Sequence, residues 1–227
     1  MQMQVIASPV EKPDEAALAQ GVRLTCRPKT VFYQQHEKAE KAYYLEKGLV
    51  KFTSLGPDGT QKTLCYVEDG NIFGELGLVK NKSYGATAIA VMDCQVICFT
   101  REQFWKFVNG DIGFAELCIG SLAEKLWSMG KQYSAICFYD RFGKVASGLI
   151  YLGKRWGEII NVTDGAGDRQ AKAIKLRITH QELAEFTGTS RVSVTNVLDA
   201  FEAKKIIRKK NREIVIMDPQ ELERWAR

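Results

Sequence analysis

The segment from Thr189 to Ala203 concentrates side chains that could recognise a nucleic acid. A residue able to cap a helix precedes apolar residues at helical spacing. Arg191 can pair with a guanine edge, Asn196 suits adenine, and Val192 can pack on a thymine methyl group. The first turns of this helix are therefore predicted to contact DNA through Ser190, Arg191, Val192, Ser193, Thr195 and Asn196.

A second predicted helix would hold this one in place. Thr179 is its candidate N-cap, Glu182 completes a capping-box spacing, and Gly188 ends it. Two helices joined by a tight glycine-containing turn form a helix-turn-helix, whose second helix enters the major groove. The start of the first helix is assigned to the same DNA-binding surface, through Thr179, His180 and Gln181.

A basic segment follows the helix pair. The stretch KKIIRKKNREIVIMD resembles a β-hairpin wing and offers cations to phosphates: Lys204, Lys205, Arg208, Lys209, Lys210 and Arg212. Residues 141–227 carry 17 Lys/Arg against 11 Asp/Glu, whereas residues 1–140 carry 15 against 16. The basic excess therefore lies in the last third of the chain, which favours a polyanion-binding module attached to a neutral one.

The part before this module is predicted to be β-rich. Between residues 29 and 100, short apolar runs alternate with turn signals, among them the hairpin signal LGPDG. The run NIFGELGLV is taken as one of these strand-like runs. Further along, residues 161–174 (NVTDGAGDRQAKAI) are polar and glycine-rich and are predicted to form a loop.

Three helices are predicted between the β-rich part and the helix-turn-helix. One starts at the capping-box spacing Thr100 to Gln103, and one starts at Asp140. The longest spans residues 111–138, with apolar residues three and four positions apart. A second copy of this long helix is the simplest partner for its apolar stripe; the alternative is that the stripe packs on its own domain.

Composition excludes several other classes of protein. No window of the 227 residues approaches 18 consecutive apolar residues, and the first thirty residues do not resemble a secretion signal, so we expect no membrane contact and a cytoplasmic location. The sequence shows no Ser/His/Asp order, metal-ligand spacing or phosphate-binding loop, so we expect no enzyme, catalytic residue or metal site. A cyclic-nucleotide-binding regulatory subunit is excluded too, because such a protein would lack the predicted helix-turn-helix.

From about Val31 to Asp218 the chain resembles the Crp/Fnr family of bacterial regulators. The similarity lies in AYYLEKGLVKFTSLGPDGTQKTL, NIFGELGL and ITHQELAEFTGTSRVSVTNVL. It implies an α+β fold with a jelly-roll-like β-roll sensor (1–110), a dimerisation helix (111–138) and a winged helix-turn-helix (139–227). It also implies a homodimer, a palindromic double-stranded DNA operator, an effector in the roll and RNA polymerase as a partner.

This chain departs from the family pattern at the residues that bind the effector in cyclic-AMP receptors. Cyclic-AMP receptors pair a Gly-Glu, here Gly74-Glu75, with an Arg-Ser that is Gly85-Ala86 in this chain. The Thr-Ser that recognises adenine is Met129-Gly130. Without the arginine the cyclic phosphate loses its main counter-charge, so cyclic AMP is not expected to bind tightly. Gly74 and Glu75 are expected to serve the turn and local hydrogen bonds.

A small organic effector or a thiol switch remains. The predicted effector pocket is mainly apolar and aromatic. Lys125 matches a lysine of regulators that sense chlorinated phenols, where it could pair with a phenolate or carboxylate; we favour ordinary helix surface for it. The pocket residues are Tyr43, Tyr66, Phe73, Gly74, Glu75, Lys125, Trp127 and Met129, with Tyr44, Cys65 and Tyr133 close by.

Resident cofactors are poorly supported by the sequence. An iron–sulfur cluster needs three clustered N-terminal cysteines, and only Cys26 lies there. The only histidines that could bind haem are His36 and His180. A cysteine or an N-terminal group could also bind haem, so a haem- or thiol-based sensor of the same fold is the alternative. Most of the six cysteines are expected to be buried. Cys26, predicted outside the strands and beside Arg27, is the best thiol-switch candidate.

Overall fold

The computed structural model describes residues 18–164, 167–210 and 213–226. The chain divides into two compact units, Met1–Met129 and Gly130–Arg227. Both units combine strands and helices, so the predicted α+β class is confirmed. None of the helices in the described ranges combines the length and apolar character that a membrane span requires.

The first unit contains two four-stranded antiparallel sheets, with strand orders β1-β8-β3-β6 and β2-β7-β4-β5. Buried aromatic and aliphatic side chains fill the core of this unit. The predicted β-rich architecture is therefore confirmed. The strands are β1 (Val22–Cys26), β2 (Val31–Tyr33), β3 (Lys41–Lys47), β4 (Leu49–Leu55), β5 (Gln61–Glu68), β6 (Asn71–Phe73), β7 (Thr87–Ala90) and β8 (Cys94–Thr100).

Local chemistry explains the hairpin between β4 and β5. The Gly56 backbone N–H donates to the Thr60 carbonyl oxygen at 2.8 Å, and Gly59 has a φ of 80°, which glycine adopts without steric cost. The Asp58 carboxylate accepts from the Thr60 backbone N–H at 3.0 Å. The hairpin predicted from LGPDG is confirmed.

The prediction that the run NIFGELGLV forms a single strand is wrong. Strand β6 ends at Phe73, and a short helix, α1 (Glu75–Val79), follows. Gly74 between them has a φ of 87°, and a Cβ there would lie 2.8 Å from the Lys41 carbonyl oxygen. This left-handed backbone breaks the strand and turns the Glu75 side chain into the interior.

Two helices follow β8. Helix α2 (Arg101–Gly110) begins with the predicted capping box, because the Thr100 hydroxyl accepts from the Gln103 backbone N–H and the Gln103 side chain accepts from the Thr100 N–H. Helix α3 (Ile112–Phe138) matches the predicted long helix. Its first turns pack on the roll through Phe114, whose ring meets Phe99 edge-on at 5.6 Å.

In the described part of the second unit, the end of α3 is followed by four helices and one antiparallel sheet of order β11-β12-β10-β9. Asp140 caps α4, as predicted, by accepting from the Gly143 N–H at 2.8 Å. The elements are α4 (Arg141–Trp156), β9 (Gly157–Asp164), β10 (Gly167–Ile174), α5 (His180–Thr187), α6 (Arg191–Ala203), β11 (Ile207–Lys210), β12 (Glu213–Ile216) and α7 (Pro219–Trp225).

The predicted loop over residues 161–174 is wrong. Most of it lies in the hairpin of β9 and β10, which pair in register from Gly157↔Ile174 to Asp164↔Gly167. Val162, Ala171 and Ala173 are buried in a small core with Val215 and Met217. The inward residues of β10 are alanines among polar neighbours, so the alternation that marks a half-buried strand is weak in the sequence.

Candidate DNA-binding surface and effector site

The first helix of the predicted helix-turn-helix has the expected ends. The Thr179 hydroxyl accepts from the Glu182 backbone N–H at 3.1 Å, and the Glu182 carboxylate accepts from the Thr179 N–H at 3.0 Å. Gly188 ends α5 with a φ of 67°. Both the capping box and the glycine stop are confirmed, and together they fix the angle at which α6 departs.

Helix α6 is oriented by its buried face. Ser190 caps it by accepting from the Ser193 backbone N–H at 3.0 Å. The side chains predicted to anchor the helix are all buried: Val194, Val197, Leu198 and Phe201. Burial of this face leaves Val192 and Asn196 exposed on the opposite side, and Arg191 is exposed in the first turn. Their exposure in the first two turns fits the predicted contact with base edges.

Other predicted contact residues have partners within the unit. His180 Nδ1 lies 2.8 Å from the Thr195 hydroxyl, which also donates to the Arg191 carbonyl oxygen at 3.1 Å. Gln181 Nε2 donates to Glu185 at 3.1 Å. The hydroxyl of Thr195 therefore connects α5 and α6. The sequence instead predicts that it contacts base edges.

The basic wing forms the predicted hairpin from β11 and β12, with Arg212 outside the described residues. Lys210 is exposed, but the Lys209 ammonium group is 2.5 Å from Asp199 and 2.9 Å from Glu202. The hydrogen bonds that Lys209 donates to Asp199 and to Glu202 raise the pKa of its ammonium group. The prediction that Lys209 is available to a phosphate needs correction, because both carboxylates already neutralise it.

Inside the first unit, Lys125 of α3 forms a buried ion pair with Glu75. The Lys125 ammonium group donates to Glu75 Oε1 at 2.6 Å, to the Ile72 carbonyl oxygen at 2.5 Å and to the Ser121 hydroxyl at 3.0 Å. Lys125 is 9% exposed and Glu75 1%. The favoured interpretation of Lys125 as ordinary helix surface is therefore wrong.

The pair leaves one polar atom unsatisfied. Glu75 Oε2 is buried and has no hydrogen-bond partner in the described part of the chain. The three N–H groups of Lys125, in contrast, all have acceptors. The site therefore offers a free acceptor and no free cation.

The aromatic residues predicted for the effector pocket separate into two groups. Tyr43 and Phe73 are buried and stack with their ring centroids 5.0 Å apart, and Tyr66 is buried in the same unit. Trp127 and Met129 are 60% and 39% exposed on α3, so within one chain they lie apart from the buried group, and their place in the pocket stays a prediction. Two residues along a helix rotate a side chain by about 200°, which turns Trp127 away when Lys125 faces the roll.

The outer face of α3 has a regular apolar pattern. Ile119, Leu126 and Tyr133 lie seven residues apart and are 67%, 74% and 70% exposed. A second row with the same spacing is partly exposed and consists of Leu122, Met129 and Ile136. Spacings of three and four that repeat every seven residues define the a and d positions of a coiled coil.

Comparison with known proteins identifies the family to which this chain belongs. A cyclic nucleotide-binding domain model matches residues 23–111, and a Crp-like helix-turn-helix domain model matches residues 143–225. The chain belongs to the Crp/Fnr family. It is thus a DNA-binding transcription regulator and not an enzyme.

Relatives and solved structures agree with this family. The cAMP-activated global transcriptional regulator CRP of Pasteurella multocida is 28% identical over 83% of this chain and 86% of its own length. A CRP-like cAMP-activated regulator of Mycobacterium tuberculosis is 26% identical over 96% and 94%. FixK2 of Bradyrhizobium japonicum shares the fold with a TM-score of 0.73 at 20% identity, over 91% and 98% of the two chains.

The Crp/Fnr cassette in this chain carries no guanidinium at the phosphate position. Gly85 is exposed, and a Cβ there would meet nothing within 4 Å, while Ala86 is buried. The sequence placed Lys125 in the predicted pocket but did not reveal its ion pair with Glu75, which lies 50 residues away in the chain. The local sequence SLAEKLW gives no signal that Lys125 is buried.

Half of the cysteines of this Crp/Fnr protein are buried, fewer than expected. Cys65, Cys94 and Cys118 are buried, Cys26 and Cys98 are half-buried, and Cys137 is exposed. Cys26 is the last residue of β1 and not outside the strands, and burial raises the pKa of its thiol. The prediction that Arg27 favours a Cys26 thiolate is therefore contradicted.

Proposed function

We propose that the protein is a homodimeric, sequence-specific regulator that binds a palindromic operator and is controlled by an effector other than cyclic AMP. The roll (1–110) would sense, the central helix (111–138) would dimerise and the winged helix-turn-helix (139–227) would bind DNA and act on RNA polymerase. The observation that carries this proposal is the exposed row of Arg191, Val192 and Asn196 on a helix whose other face is fully buried. Selection from random DNA tests it.

We expect the selected half-sites to differ from TGTGA and to be richer in A·T. Arg191 can donate two hydrogen bonds to a guanine, Asn196 suits adenine and Val192 favours a thymine methyl group. The half-sites should lie one DNA turn apart, as a two-fold dimer requires. Recovery of TGTGA half-sites would show that other residues lie in the groove.

Replacing Arg191 with alanine should cost about 1–3 kcal/mol of specific binding and relax the preference at one base position. The loss follows from the missing pair of hydrogen bonds to a guanine edge. Fluorescence anisotropy with matched and mismatched operators measures both effects. Arg224→Ala is the control, because Arg224 is an exposed arginine of α7 paired with Glu221; equal losses in both variants would count against the assignment.

The two wing lysines should differ in salt dependence. Lys210→Ala should reduce the slope of log K against log salt by about one unit, as one lost phosphate contact does. Lys209→Ala should leave the slope nearly unchanged, because Asp199 and Glu202 already hold that ammonium group. Titration of one operator at several salt concentrations compares them, and a full-unit change for Lys209→Ala would refute the distinction.

The dimer proposal is supported by the outer face of α3. The seven-residue rows beginning at Ile119 and Leu122 present an apolar seam about 18 residues long. A monomeric soluble protein rarely leaves such a continuous patch in water. A second α3 related by a two-fold axis would cover each row with its own counterpart.

The effector proposal is supported by the buried pair. Any anion placed beside Lys125 would have to displace Glu75 and leave that carboxylate buried without a counter-charge. The unpartnered Glu75 Oε2 instead favours a neutral organic molecule with a hydrogen-bond donor. The cAMP activation named for two relatives is therefore not carried over to this chain.

Calorimetry with cyclic AMP should show no micromolar binding to the purified protein. The phosphate would lack the family arginine at Gly85, and adenine would lack its Thr-Ser at Met129 and Gly130. Gly85→Arg alone should not restore binding, although the open space at Gly85 admits the side chain. A dissociation constant in the micromolar range for the unmodified chain would overturn the proposal.

A further inference from the structure

Two cysteines of the roll lie directly opposite each other across two strands. Cys26, the last residue of β1, pairs with Cys94, the first residue of β8, in the antiparallel register. Directly paired residues point to the same face of a sheet, and here both side chains pack on the hydrophobic core. Among the described strand pairings, no other two cysteines are directly opposed.

We propose that Cys26 and Cys94 form a reversible intramolecular disulfide, so that the end of the β1–β8 ladder is a thiol-modification site. Cβ atoms of directly paired residues lie about 4.5–5.5 Å apart. A disulfide requires about 3.5–4.5 Å. A movement of roughly 1 Å therefore closes the gap.

The location of the pair allows this movement. Strand β1 is an edge strand that pairs only with β8 among the described strands, and Cys26 is its final residue. The Cys94 sulfur lies 3.3 Å from the Met92 carbonyl oxygen and 3.5 Å from that of Leu49. A thiol is a weak donor, so turning the sulfur toward Cys26 loses little.

The two thiols have different access to an oxidant. Cys26 is half-buried and Cys94 is buried. With a small disulfide such as oxidised glutathione, Cys26 would react first because it is the more accessible thiol; it loses its proton and attacks, forming a mixed disulfide and releasing one reduced glutathione. The Cys94 thiolate would then displace the second glutathione. The two protein thiols lose two protons and two electrons, and the glutathione disulfide takes up both.

Peptide mapping of the full-length protein tests this assignment. After incubation with oxidised glutathione and alkylation, we expect one cross-link between the peptides that contain Cys26 and Cys94, while the exposed Cys137 takes up glutathione as a mixed disulfide. Dithiothreitol should restore both thiols. Cys94→Ala should accumulate a stable glutathione adduct on Cys26, Cys26→Ala should form neither this adduct nor the cross-link, and Cys137→Ala, which removes the exposed thiol, should form the same cross-link as the wild type.

A second measurement does not depend on peptide recovery. The cross-link closes a long loop between residues 26 and 94, so oxidation should raise the Tm of the wild type by several degrees and leave that of Cys26→Ala unchanged. Six alkylated thiols after oxidation, a different cysteine pair, or an adduct on Cys26 that Cys94 never displaces would each overturn the proposal. None of these readouts involves DNA, so failure here leaves the proposed function untouched.

Discussion

Lys125→Met should lower the free energy of unfolding by about 3–5 kcal/mol, which is the cost of leaving a buried charge without its partner. In this variant Glu75 would remain 1% exposed, and neither of its carboxylate oxygens would keep a partner from α3. The Ile72 carbonyl oxygen and the Ser121 hydroxyl would also lose a donor. Urea unfolding followed by fluorescence measures the change.

The double variant Lys125→Met/Glu75→Gln distinguishes the contribution of the ion pair from the cost of leaving one buried charge unpaired. Removing both charges should recover most of the lost stability, since replacing a buried ion pair with uncharged groups of similar volume is often neutral. Arg23→Met is the control, because the Arg23–Glu46 pair is exposed and should contribute less than about 1 kcal/mol. Equal losses for Lys125→Met and Arg23→Met would contradict a buried, functional pair.

Leu126→Glu/Met129→Glu should convert the proposed dimer to a monomer and weaken operator binding by about 10²–10⁴-fold. A palindrome binds two linked modules, and separating them removes the effective concentration of the second. Each protomer would place two carboxylates on the two-fold seam, where they meet their own copies. Because Leu126 and Met129 are exposed within the chain, unfolding of the monomer itself should change little. Analytical ultracentrifugation and gel shift report the two effects.

The chain offers a matched control for this variant. Leu55 and Met92 are an exposed leucine and an exposed methionine of the roll, outside α3. Leu55→Glu/Met92→Glu adds the same charges and should remain dimeric with unchanged operator affinity. A Leu126→Glu/Met129→Glu protein that still sediments as a dimer would place the interface elsewhere.

Much of the DNA-binding unit could be predicted from the sequence because its signals are local. The capping box at Thr179, the stop at Gly188 and the cap at Ser190 each depend on residues within four positions of one another. The buried face of α6 follows from helical period alone. The hairpin of β9 and β10 escaped prediction because its inward residues, Ala171 and Ala173, carry too little apolar character to mark a strand.

The effector site was harder to predict from the sequence, because its contacts join distant parts of the chain. Lys125 and Glu75 are 50 residues apart, and neither has a neighbour in sequence that signals burial. The turn at Gly74 brings Glu75 inward, and the rotation of α3 decides that Lys125 faces it while Trp127 faces away. The pairing of Lys209 with Asp199 across helix and wing is equally invisible to local patterns.

The sequence by itself determined most of the elements, the helix caps, the apolar stripe of the long helix and the basic character of the last third, because these depend on residue type and short spacing. Only the tertiary structure decided which charged groups are already neutralised, which aromatic residues are inside the roll and which cysteines face each other. Those properties depend on strand register, helix rotation and burial, where a shift of one residue exchanges inside for outside. The local sequence does not encode that choice, and packing of the whole unit fixes it.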